Sequence, residues 1–392
     1  MSDFQRREFL TAAAALAAAT TAALTGNKQA QAGDPSFMNN VPDSVLSEDE
    51  LPTFKFALEK SKGRVIGGSY GKEATVKQLP VSKGLAGVSM KIEPGAMREL
   101  HWHATAAEWA FVIEGRVRTT VIDPQGHAET NDFGPGDVWY FPRGHGHMLE
   151  CLGDEPTHFI LIFDNGYFSE FGTFSISDWF AHTPKELLAK NFGLPVSAID
   201  GFPSEEVYFA RGQKPPEKPA APLQGLKSPP QTHKYSLLAQ EPHRVYPGGR
   251  EWRVDSTNFE ISKTVTGVVL DLDPGALREL HWHPTADEWQ YVVDGNISVT
   301  LFGAKGRYRT ETLEKGDVGY IPQGYGHSIE NVGKKPCRVL IGFNTGVYQT
   351  IDLSQWIAGN PLDVLATNFG KPAGLFEKFP HRDVFISDKS GK

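Results

Sequence analysis

Cysteine is scarce in this chain: 392 residues carry two, Cys151 and Cys337. They sit at unmatched places and neither has metal-site spacing, so no disulfide framework and no cysteine-based metal site is expected. Both read as small buried residues. Positive charge is also short. Lys and Arg number 39 against 47 Asp and Glu, a net charge of -8, and no basic stripe offers itself to phosphates. A nucleic-acid partner is therefore not expected. Long apolar runs are missing too. The uncharged run from Thr11 to Leu24 is short and mostly alanine, so no membrane span is expected. Glycine (40) and proline (27) are plentiful, which suits a β-rich chain with many turns. The length is enough for two domains with sizeable cores.

The N-terminus reads as a targeting segment. Gln5-Arg6-Arg7-Glu8-Phe9-Leu10 precedes the alanine-rich run, and Ala30-Gln31-Ala32 offers a small-x-small cleavage site. The layout makes residues 1–32 a signal peptide of twin-arginine type and the mature protein periplasmic or secreted.

The rest is written twice. RELHWHATAAEWAFVIEG begins at Arg98 and RELHWHPTADEWQYVVDG at Arg278, 180 residues on. Pro94-Gly95 aligns with Pro274-Gly275, Gly136-Asp137-Val138 with Gly316-Asp317-Val318, and Phe163 with Phe343. A fixed offset over such a span means one domain duplicated. Each copy alternates apolar and polar residues in short runs ending in Pro-Gly or other turns, the pattern of an all-β sandwich or barrel. ISDWFAHTPKELLAKNFG and DLSQWIAGNPLDVLATNFG add a short helical appendage to each copy. The domains expected are residues 33–210 and 233–392, joined by a semi-rigid segment 211–232 that holds six prolines.

The chemistry lies in the matched histidines. His101 and His103, two apart on a strand, point to one face. Glu108 follows near the next strand, and His147 on another. His281, His283, Glu288 and His327 repeat that spacing. A lone strand histidine is usually a packing residue; two matched quartets are not explained that way. Three imidazoles and a carboxylate make a metal site with open positions, suited to Mn, Fe, Co, Ni or Zn. His127, His158, His182, His233 and His243 have no matched partners and read as surface or structural.

Two further features bear on substrate. Arg98 and Arg278 precede their HxH pairs by three residues, and a guanidinium beside a metal suits a small carboxylate. The copies also part company after Phe163. Phe163 to Trp179 takes 16 steps and Phe343 to Trp356 takes 13, so the first copy carries an insertion within DNGYFSEFGTF. It holds Glu170 and Gly172, whereas NTGVYQTI in the second copy has no acid. An acid-bearing insertion with a glycine is a candidate lid. Trp102 and Trp282, between their histidines, read as packing residues on the opposite strand face.

GAMRELHWHATAAEWAFVIEG resembles the first cupin motif and GDVWYFPRGHGHMLEC the second, with Cys151 where that motif ends in asparagine; the second copy keeps Asn331. The tandem RELHWH strings and FSEFGTFSISDWFAHTPKE resemble the bicupin oxalate decarboxylases. That resemblance implies two jelly-roll cupin barrels and two manganese ions per chain, ligated by His101, His103, Glu108 and His147, and by His281, His283, Glu288 and His327. It implies oxalate as substrate, contacted by Arg98 and Arg278, dioxygen as co-catalyst, and formate and CO2 as products. Glu170 matches the lid glutamate that moves protons; Phe171 and Gly172 depart from the small polar pair usual there. Homo-oligomers, trimers or paired trimers, are also implied. The alternatives are oxalate oxidase chemistry, giving CO2 and hydrogen peroxide, and another metal-dependent cupin acting on a small acid.

Overall fold

A computed structural model of the chain describes residues 50–219, 227–390. The signal segment, and residues 220–226 of the Pro-rich segment, lie outside the described residues.

Each copy is a barrel of two antiparallel sheets. In the N-terminal barrel one sheet runs Asp137–Phe141, Glu108–Glu114, Thr157–Phe163, Ala86–Ile92, Ser69–Ala74, Arg64–Ile66. The facing sheet runs Phe174–Ser175, Ala96–Trp102, Gly146–Cys151, Val117–Ile122, Ala128–Phe133. The C-terminal barrel repeats this with Glu288–Asp294, Leu277–Trp282 and Gly326–Asn331 in the matching places. Both barrels are jelly-roll-like all-β bodies, as the sequence pattern predicts.

The strand Glu108–Glu114 is buried almost throughout, because its two faces serve two cores. Ala110 and Val112 point into the N-terminal barrel. Trp109 and Phe111 point out, into a cluster shared with Trp289 and Tyr291 of the other barrel. Strand Thr157–Phe163 divides likewise, Ile160 and Ile162 outward and Phe159, Leu161 and Phe163 inward. The period of two that sends the tryptophan to the shared core therefore sends Glu108 to the barrel interior. Contact between the barrels is close: a Cβ at Gly87 would lie 2.1 Å from the Trp289 ring, and one at Gly267 2.1 Å from the Trp109 ring.

Two short strands cross between the barrels. Lys55–Phe56, at the head of the N-terminal half, pairs with Val318–Ile321 of the C-terminal barrel (Phe56 opposite Val318). Lys234–Ser236, at the head of the C-terminal half, pairs with Asp137–Phe141 of the N-terminal barrel (Tyr235 opposite Val138). The two halves of the chain thus exchange their leading strands.

The appendages are helices Ile176–Ala181 and Lys185–Phe192 in the first copy. The second has Leu353–Ala358, Leu362–Phe369 and Ala373–Phe376. The Asn-Phe-Gly that ends helices Lys185–Phe192 and Leu362–Phe369 is a C-cap: Gly193 and Gly370 take φ of 66° and 61°, which favours glycine. Cys151 and Cys337 are buried and unpaired. Among the described residues no helix is long and apolar enough to cross a membrane.

Candidate metal centres

His101 lies on strand Ala96–Trp102 and His103 just beyond it, while Glu108 opens the next strand. His147 stands directly opposite His101 on Gly146–Cys151. All four are buried, and one ligand atom from each lies within 4.8 Å of the others. His281, His283, Glu288 and His327 form the same cage in the second barrel. The strand register explains both: cross-strand pairing brings the third histidine to the HxH face.

The cages are prepared for a cation. The Nδ1–H of His101 donates to the Glu99 carbonyl (2.5 Å) and that of His147 to the His145 carbonyl (2.9 Å), which turns each Nε2 lone pair inward. His147 Nε2 lies 3.4 Å from Glu108 Oε2 and His283 Nε2 lies 2.9 Å from Glu288 Oε2, buried ligand atoms that crowd together without a well-formed hydrogen bond. Burial, reinforced by Arg98 and the neighbouring imidazoles, holds His101 well below the usual histidine range, so its ring is neutral and able to ligate. Burial alone would raise the Glu108 carboxyl, but His147 and His103 outweigh it and hold the group ionised. Three imidazoles and one carboxylate with converging ligand atoms fit a divalent transition ion.

The ligand carboxylates are braced differently in the two copies. Trp139 donates its Nε1–H to Glu108 Oε1 at 2.7 Å. In the second copy Gln290 donates its Nε2–H to Glu288 Oε1 at 2.6 Å. Trp139 is matched by Gly319 and Gln290 by Ala110, and a Cβ at Gly319 would lie 2.9 Å from the Gln290 Oε1. The two differences compensate each other: a large brace from one strand or from its neighbour, never both. The compensated swap is visible in the aligned repeat and was not used in the sequence reading.

Arg98 is buried beside the first cage. Its Nε–H donates to Glu170 Oε1 (2.9 Å), one Nη to Thr173 Oγ1 (2.5 Å) and the other to the Tyr208 carbonyl (3.3 Å). The Tyr208 ring lies 3.9 Å from the guanidinium carbon. Tyr208 takes a left-handed φ of 61°, held there by its N–H donating to Glu99 Oε1 at 2.6 Å. Glu170 opens a one-turn 3-10 helix, Glu170–Gly172, and is 1% exposed. Its Oε2 has no partner and lies 3.9 Å from His103 Nδ1. Ser169 Oγ donates to Glu73 Oε2 (2.7 Å), tying the turn to the barrel wall. The insertion thus folds over the first cage and carries its acid inward.

Comparison with known proteins agrees with this geometry. The cupin family profile matches residues 57–200 and again 235–371. Oxalate decarboxylase OxdC of Bacillus subtilis (strain 168) is 43% identical over 312 residues, 79% of this chain and 80% of the relative. The chain belongs to the bicupin oxalate decarboxylase family. A probable oxalate decarboxylase of Arthroderma benhamiae is 34% identical, covering 92% of this chain and 89% of the relative. A solved structure concerned with the Mn(II) centres of Bacillus subtilis oxalate decarboxylase superposes with TM-score 0.80 at 38% identity, covering 86% of this chain and 89% of that one.

Within this bicupin decarboxylase fold the second site differs from the first. Arg278 Nη2 donates to Asp352 Oδ1 at 2.7 Å, and Asp352 belongs to a strand paired with Leu277–Trp282. Arg98 is paired with a residue of the folded-over turn, Arg278 with a residue of the sheet. His283 Nδ1 donates to the Gln349 carbonyl (2.8 Å), where His103 Nδ1 has only Glu170 nearby. NTGVYQTI holds no acid, but Asp352 follows directly after it and takes the arginine. Thr173, Tyr208, Trp139 and Glu73 were not singled out from sequence. Tyr208 and Glu73 come from remote segments whose pairing with the site no local pattern announces, while Thr173 lies within the insertion and Trp139 within the second motif.

Proposed function

We propose that the protein is a manganese-dependent oxalate decarboxylase that converts hydrogen oxalate to formate and CO2. The observation that carries this reading is Glu170: a buried acid with one oxygen on Arg98 and the other unpartnered, facing the first cage. Manganese held by His101, His103, Glu108 and His147, with dioxygen as co-catalyst, supplies Lewis-acid and one-electron chemistry. Arg98 offers a fork of donors to a carboxylate. Its charge and its contacts with Thr173 and Tyr208 orient oxalate toward the cage. Glu170 takes the proton from hydrogen oxalate and returns it to carbon after CO2 has left, which yields formate. The closed turn keeps bulk water from competing.

The same reading assigns a second manganese to His281, His283, Glu288 and His327. With Arg278 committed to Asp352, that site is auxiliary or weakly active and Arg278 is a secondary contact for carboxylates. The homo-oligomer rests on the appendages, whose Trp179, Phe192, Trp356 and Phe369 are all more than half exposed. Export through a twin-arginine signal rests on the N-terminal sequence alone. Manganese-loaded protein incubated with oxalate under air at mildly acidic pH tests the reaction. Equal formate and CO2 with little peroxide is expected; two CO2 per oxalate with peroxide would make it an oxidase.

A further inference from the structure

We propose that His145 and His233 form a third metal site, at the rim of the N-terminal barrel, that takes a borderline divalent transition ion such as Co2+, Ni2+ or Zn2+. It is separate from both cages and independent of the decarboxylase reading.

His233 enters the N-terminal barrel only because the strand Lys234–Ser236 crosses over from the other half. It is 2% exposed. Glu129 grips it from one side: Oε2 accepts both the His233 N–H and the Nδ1–H at 2.7 Å, and Oε1 accepts the Thr232 hydroxyl at 2.7 Å. The carboxylate holds a ring proton on Nδ1 and so presents Nε2 on the opposite side of the ring. That Nε2 is buried and has no partner. A carboxylate on one ring nitrogen and a free lone pair on the other is the arrangement of a metal-binding histidine. Nothing in the cages uses it.

The ring neighbours of His233 are Phe141 and His145. Only His145 offers another nitrogen. The two imidazole centroids are 6.0 Å apart with planes at 61°. Two imidazoles sharing one ion through bonds of about 2.0–2.1 Å have centroids roughly 5–6 Å apart. His145 Nδ1 lies 3.4 Å from the Arg143 carbonyl, and Nε2 is the ring nitrogen that contact does not engage. His145 is only partly buried, so water can complete the coordination. A bis-imidazole pair without a carboxylate ligand favours Co, Ni, Cu or Zn over the harder manganese. The second copy carries Tyr325 at the place of His145, so the site belongs to the first barrel alone.

The test is a Co2+ titration of the manganese-loaded full-length protein, following cobalt uptake, its visible absorption and retained manganese together. One further equivalent of Co2+ per chain, with manganese unchanged, is expected for the wild type. His145→Gln should weaken that equivalent at least tenfold while both manganese ions stay bound, which also reports that the barrel is intact. His145→Tyr, which copies the second repeat, should do the same and serves if the glutamine perturbs the turn. His233→Gln should abolish the equivalent. No cobalt beyond the cages, cobalt entering only by displacing manganese, or a third equivalent unchanged in His145→Gln would each overturn the proposal.

Discussion

Arg98 and Glu170 meet at 2.9 Å, Nε to Oε1, both almost fully buried. Burial disfavours the guanidinium charge, but Glu170, with Tyr208 and Glu206, more than restores it and raises the Arg98 pKa. The arginine that would hold the substrate is therefore also the group that holds the acid in the closed turn.

Removing the acid while keeping its shape separates the two roles. Glu170→Gln should lower formate production by about 100-fold or more, the ordinary scale for loss of general acid–base catalysis. Both metal ions should remain bound, and peroxide should rise per oxalate consumed. Formate, peroxide and bound manganese measured on one preparation check this; formate at wild-type rate would remove Glu170 from the mechanism.

Arg98→Lys keeps the charge and loses the fork. We expect kcat/KM to fall by about 10- to 100-fold, with a rise in KM. Arg278→Lys should change it less than about threefold, because Asp352 already holds that side chain. Steady-state kinetics on the pair decide the point. Equal losses would make the second barrel a catalytic partner.

Each cage should lose its own ion. His101→Ala and His281→Ala are each expected to retain one manganese per chain where the wild type retains two. Chelation of the wild type should lower the melting temperature, since a ligand at 100 times its Kd stabilises by about 2.7 kcal/mol. Metal analysis with thermal melts provides the check.

Acid should weaken the fold in a defined window. The hydrogen bonds of Glu129 with His233 and Thr232 outweigh its burial and set its pKa at about 2, down from 4.5. A depressed carboxyl contributes stability above the unfolded value and loses it as pH falls from about 4.5 towards 2. Glu129→Gln should therefore lower the unfolding free energy measured in urea at pH 7 by on the order of 1–2 kcal/mol after allowing for partial exposure. The difference from wild type should shrink steadily below pH 4.5. A difference constant with pH would assign the loss to packing instead.

The ligands were legible because the chain states them twice. One offset of 180 carries His101 to His281, Glu108 to Glu288 and His147 to His327, and strand period two does the rest. Glu170 was legible for the opposite reason: it sits where the offset breaks. Tyr208 was not, because its place on Arg98 depends on a left-handed backbone fixed by Glu99 from a remote strand. His233 read as a surface or structural residue, since nothing in THKYS announces its pairing with Asp137–Phe141. Strands of two or three residues carry no periodicity to read.

Those crossing strands also decide what can be separated. Cut at the Pro-rich segment, the chain would give two fragments, each missing an edge that the other encodes. Alone, each would expose unpaired backbone, a template for aggregation; together they would complement. The two copies have become interdependent in this chain, each completing the edge of the other's sheet.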